Sequence, residues 1–279
     1  MTRTALMLCT AAFISWLVTP AAAAPFTLLD ENSEVVIDPD PGLGDDGGVT
    51  DWLVDGTDHL FRQWFWYRVG PGGPEAPIDT LGAPTVLTLS TDGELDDDAA
   101  FISYAGPGFA IEVLYVLTGG TFGSNTSDLA EIIRIRNTGV APLDFHFFQY
   151  SDFDLNETIG DDVVEILNPN TVSVSDPELI ISETVVIPTP SHHQIDTFPS
   201  LVDLLDDGLP TTLDDSIGPL GPTDAEWGFQ WDFVLPVNGS FIISKDKHIQ
   251  RVPEPSTFVL LGIGAVGFAW LSRSRRNRG

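Results

Sequence analysis

The chain has 279 residues, with 41 acidic side chains against 12 basic ones and a formal net charge of −29. A hydrophobic content of 43% excludes a disordered acidic polypeptide, and the length is ample for one large all-β domain with a buried core. The charge excludes a nucleic-acid binder, which needs a basic face to release counterions.

Residues 1–23 read as a secretory signal removed by signal peptidase. Arg3 and the amino terminus supply positive charge, Ala5 to Val18 an apolar run, and Pro20 breaks it. Ala21 and Ala23 then give the small-x-small cleavage pattern. The single cysteine, Cys9, leaves with this segment, so the mature chain carries no disulfide.

Residues 24–251 form the body. All 41 acidic residues fall between Asp30 and Glu254, with only seven basic ones among them. The stretch Asp38 to Asp51, rich in Asp, Gly and Pro, reads as a loop. Strand-like pieces run through Leu60–Val69, Thr85–Ser90, Phe109–Leu117, Glu131–Asn137, Leu143–Tyr150, Val163–Leu167, Thr171–Ser175, Leu179–Ile187, Trp227–Leu235 and Ser240–Ser244. Turn signals such as Gly119-Gly120, Asn168-Pro169-Asn170 and Asn238-Gly239 separate them. Many short strands with no long 3.6-residue period predict a single β-sandwich or jelly-roll-like domain, with one short helix at Leu201–Leu205.

The first chemically distinctive strand is Trp64-Phe65-Trp66-Tyr67. Alternation places Trp64 and Trp66 on one face with Arg62 and Arg68, and Phe61, Phe65 and Val69 on the other. Two readings follow. In one, both faces are buried and the arginines pair with acids. In the other, Trp64, Trp66 and Trp231 are a platform for sugar rings, and the same question applies to Trp227. The second segment is Asp152-Phe153-Asp154-Leu155-Asn156, whose alternating Asp152, Asp154 and Asn156 project oxygens to one side, as a calcium site requires. It is not an EF-hand: Glu157 stands where the loop needs Gly and Val163 where it needs Glu. His146, His192 and His193 fit no standard metal spacing, and no nucleophile elbow, phosphate loop or dinucleotide fingerprint is present.

The C-terminus, 252–279, has three parts. Val252-Pro253-Glu254-Pro255-Ser256 is locked extended by its prolines. Residues 257–271 are apolar or small and span about 22 Å as a helix, short for a bilayer but able to insert with local thinning. Residues 272–279 carry Arg273, Arg275, Arg276 and Arg278, a positive stop that holds this end in the cytoplasm and the body outside.

This three-part tail resembles the PEP-CTERM sorting signal of Gram-negative bacteria, including the Pro-Glu-Pro core at 253–255. The resemblance implies sorting by exosortase, a membrane-embedded cysteine protease, with retention in the inner membrane, cleavage near the core, and release or attachment at the cell surface. It also implies association with exopolysaccharide. The body, especially His59 to Gly70 and Thr118 to Asn156, resembles an ectodomain that recurs in PEP-CTERM proteins and has no assigned activity. The expectation is a non-enzymatic surface or extracellular-matrix protein with no cofactor other than calcium. The alternatives are a carbohydrate-binding module and a glycan-active enzyme with a carboxylate pair such as Asp152 and Asp154, or acids of the loop Asp92–Asp98.

Overall fold

The computed structural model describes residues 23–42 and 47–252. Ala21, Pro253 to Ser256, the apolar run 257–271 and the four terminal arginines lie outside these residues. Among the described residues no helix is long and apolar enough to cross a membrane.

The chain runs through β1 (Phe26–Asp30), β2 (Ser33–Asp38), β3 (Gly48–Val54), β4 (Thr57–Asp58), β5 (Arg62–Val69), β6 (Ala76–Pro77), β7 (Thr85–Leu89), β8 (Ala99–Gly106) and β9 (Phe109–Gly119). It continues through β10 (Ser127–Asn137), β11 (Leu143–Asp152), β12 (Asp162–Asn168), β13 (Thr171–Ser175), β14 (Leu179–Ile187) and β15 (His192–Thr197). After helix α1 (Ser200–Asp206) come β16 (Leu220–Thr223), β17 (Ala225–Leu235) and β18 (Ser240–Arg251). One sheet has the order β1-β2-β3-β5-β11-β17-β15, with β4 on β3 and β6 on β5. The other has the order β16-β12-β13-β14-β18-β10-β9-β8-β7. The expected all-β architecture and the short helix are present. The expected loop 38–51 is shorter than predicted, because β3 begins at Gly48 and pairs with β2.

The sheets pack through alternate residues of their facing strands. Phe233 of β17 stacks on Phe241 of β18 at 3.7 Å, and Phe109 of β9 meets Phe145 of β11 edge to face at 5.2 Å. Burial of such rings is the main stabilising term of the fold.

Between the sheets lies a cluster of charges. Inward positions of β10, β14 and β18 place Glu131, Glu183, Lys245 and Lys247 in the core, each no more than 1% exposed. Lys245 and Lys247 both pair with Glu131, and Lys245 Nζ lies 3.2 Å from Glu183 Oε1. Gln149 Nε2 donates to both Glu183 oxygens at 2.7 and 2.8 Å, and Trp227 Nε1 donates to Oε2 at 3.3 Å. Burial pushes the Glu183 carboxyl upward, but Lys245 and Lys247 outweigh it and hold the group below its usual range. Burial pushes Lys245 down to about 8. Two acids and two bases keep the cluster neutral, the condition under which a dry core tolerates charge.

The opposite face of the first sheet is covered as well. Helix α1 lies on it, with Leu201 and Leu205 buried and the Leu201 N–H donating to Glu226 of β17. Gly228 lets the helix approach: a Cβ there would stand 2.9 Å from the Gln149 carbonyl and 3.2 Å from Leu201 Cδ2.

Candidate carboxylate site

The covered face of β5, β11 and β17 forms cross-strand rows. One row is Arg62, Asp152 and Glu226, and the next is Trp64, Tyr150 and Gly228. Asp152 ends β11, and the chain then turns inward at Phe153, which stacks on Trp227 at 5.4 Å. The turn brings back Asp154, which leads a single 3₁₀ turn, Leu155–Glu157. Asp224, between β16 and β17, arrives from the far side. Oxygens of Asp152, Asp154 and Asp224 lie within 4.8 Å of one another.

Asp152 is 1% exposed. Its Oδ2 accepts from the Tyr150 hydroxyl at 3.1 Å, and its Oδ1 is buried with no hydrogen-bond partner. Asp162 stands beside the group, also 1% exposed. Its Oδ2 accepts from the Leu155 N–H at 3.2 Å, and its Oδ1 is likewise unpartnered. Gly221 permits this packing of β16 on β12, since a Cβ there would overlap the Asp162 carbonyl.

The crowding shifts the acids upward. Burial, then the charges of Asp224 and Asp154, push Asp152 to about 8. Burial, then Asp224 and Asp58, push Asp154 to about 6. Burial raises Asp224, takes Asp162 to about 8, and takes Glu226 to about 7. Arg62, opposite Asp152, directs Nε to the Gly47 carbonyl at 3.1 Å and its guanidinium over the Trp66 ring at 5.3 Å.

Several predicted site residues lie elsewhere. Asn156 has its backbone at φ 59° and donates its amide nitrogen to Asp176 Oδ2 at 2.5 Å. Asp224, which the sequence reading missed, joins Asp152 and Asp154. Trp64, Trp66 and Trp231 are at most 1% exposed, so none offers a face to a sugar. Trp66 Nε1 donates to Asp206 Oδ1 at 2.8 Å and Trp231 Nε1 to the Pro188 carbonyl at 3.0 Å. Trp64 packs edge to face on Tyr104. Of the body's arginines, Arg68 is buried on Glu75 at 2.5 Å, as the two-faced burial reading of β5 requires. His146 and His192 converge on Asp232, at 2.6 and 3.8 Å. In the loop Asp92–Asp98, Asp98 accepts from Thr91 and Asp92 from Ser90, so local turns occupy these acids.

The described residues thus define an acidic, all-β, two-sheet protein with a carboxylate cluster at one end of its first sheet. Residues 251–276 match the PEP-CTERM protein-sorting motif, so the chain carries that sorting signal. The motif implies processing by exosortase, and with it an exported chain. No curated protein sequence matches the chain. Among solved structures, a putative aldose 1-epimerase from Escherichia coli K12 aligns with a TM-score of 0.55 and 10% identity, over 82% of this chain and 99% of that one. A bacterial glucoamylase complexed with acarbose aligns with a TM-score of 0.54 and 9% identity, over 86% of this chain but only 34% of that one. The Slr1438 protein from Synechocystis sp. PCC 6803 aligns with a TM-score of 0.51 and 11% identity, over 88% of this chain and 100% of that one. At such identities the likeness is one of fold alone.

Proposed function

We propose that the chain is a non-enzymatic cell-surface or extracellular-matrix protein, delivered by the secretory route and sorted by exosortase, that associates with exopolysaccharide. The observation that carries the reading is the sorting motif at 251–276. The body supports the non-enzymatic part. The raised acid Asp152 is 1% exposed, which keeps it from a glycosidic oxygen, and the tryptophans that would stack on sugars are interior. Signal peptidase removes residues 1–23, the run 257–271 holds the chain in the inner membrane during sorting, and the cut near Pro253-Glu254-Pro255 frees the body. Replacing Pro253, Glu254 and Pro255 with alanine tests this. The form lacking only the signal peptide should accumulate in the inner membrane, and processing like that of the wild type would contradict the reading.

A further inference from the structure

Asp152 and Asp154, at the end of β11, meet Asp224 from a distant part of the chain. A cluster of acids alone is common on an acidic protein. Here one of the three, Asp152, is interior and keeps its Oδ1 without a hydrogen-bond partner, and the neighbouring Asp162, outside the trio, is interior with an unpartnered Oδ1 as well. A buried acceptor left unmatched is costly, and several of one sign in one place are costlier. A divalent cation removes both costs by supplying positive charge and drawing the free lone pairs.

We propose that Asp152, Asp154 and Asp224 bind a calcium ion. The donors are all hard oxygens, with no histidine or cysteine, which favours calcium or magnesium over zinc or copper. Between those two, carboxylates projecting from a strand end, a one-turn 3₁₀ helix and a strand junction suit the irregular, many-oxygen shell of calcium better than the tight octahedron of magnesium. An approach exists. A cleft lined by Asp51, Asp58, Phe61, Asp154 and Glu157 leads to the Asp154 side and concentrates cations there. The Asn156 amide nitrogen is engaged by Asp176, and the site is assigned to the three aspartates alone.

The site predicts which residues matter. Asp152→Asn, Asp154→Asn and Asp224→Asn are near-isosteric and remove mutual repulsion, so each variant should fold in EDTA with a melting temperature no lower than that of the wild type. The test is calcium titration of the purified full-length exported chain in mild detergent, by calorimetry and by Tb³⁺ luminescence sensitised through nearby Tyr150. The wild type should bind one ion saturably, and each aspartate variant should bind about tenfold more weakly or less well still. Asn156→Ala should bind like the wild type. Absence of saturable binding would overturn the proposal, as would an Asp224→Asn variant that binds normally. Equal melting shifts from Ca²⁺ and Mg²⁺ that survive all three aspartate substitutions would also overturn it, reducing the effect to diffuse screening. These readouts do not depend on exosortase, so the site and the sorting reading fail separately.

Discussion

Phe61 and Phe198 meet edge to face, with ring centroids 5.4 Å apart, and each is suspended from the carboxylate cluster by its own backbone. The Phe61 N–H donates to the Asp152 carbonyl and the Phe198 N–H to the Asp224 carbonyl, both at 3.1 Å. The ring pair therefore ties the two arms of the site together without using a carboxylate oxygen. Alanine at either position leaves the backbone bonds intact. A double-mutant cycle of Phe61→Ala and Phe198→Ala, followed by urea unfolding, should give a coupling of about 0.5–1.5 kcal/mol. Strict additivity would show that the rings do not join the arms.

The core charges give a second test. Glu183→Gln keeps an acceptor for Gln149 and Trp227 but leaves the buried cluster with a surplus lysine charge. It should cost about 3–5 kcal/mol in urea unfolding. Adding Lys245→Met restores neutrality and should recover most of that loss. A double variant as unstable as the single one would show that the pairing is not what the core depends on.

His59 supplies a pH dependence with a definite sign. It is fully buried, and its Nδ1 accepts from the Asn156 N–H at 3.0 Å. Burial pushes the imidazole from 6.5 down to about 4, against the opposing pull of Asp176 and Glu157. The folded value lies below the unfolded one. Its contribution is therefore complete above pH 6.5 and is lost as pH falls through the window from 6.5 to 4. The loss should reach about 3 kcal/mol at the bottom of the window. His59→Asn preserves an acceptor and does not titrate. The difference between wild-type and variant stability should narrow or reverse in favour of the variant as pH falls from 7 to 4, while the raised carboxylates act alike in both. A difference that is flat with pH would contradict the assignment.

The strands that alternate cleanly, such as Thr171–Ser175 and Leu179–Ile187, have the same limits in the structure as in the sequence reading. In the sequence the strand pattern of β18 runs only to Ser244, because its inward positions switch from Ile243 to Lys245 and Lys247, which look solvent-facing until Glu131 and Glu183 are placed opposite. Strands β1 and β2 are short and joined by a tight turn with Glu31 at φ 48°, and apolar Leu29 and Val36 on their outer side blur the alternation. Strand β15, His192–Thr197, has no apolar period at all and is held by its pairing with β17. Two of the three aspartates of the carboxylate site are legible in the sequence, since Asp152 and Asp154 are local. Asp224 is not, because only the β11–β17 register, Asp152 opposite Glu226, brings it there.

The terminal arginines test how the chain is held before processing. Changing Arg273, Arg275, Arg276 and Arg278 to asparagine removes the positive stop. Fractionation should then show less unprocessed chain in the inner membrane and more in the periplasm. Unchanged retention would show that the apolar run 257–271 suffices by itself.

The most direct test of the sorting account is the C-terminal residue of the chain found outside the cell, determined by intact-mass measurement in cells with and without exosortase. With the protease, the surface form should end near Pro253-Glu254-Pro255 and lack all four terminal arginines. Without it, the chain should stay in the inner membrane with its tail complete. An extracellular chain that still carries Arg273 to Arg278, in equal amount in both strains, would contradict the account.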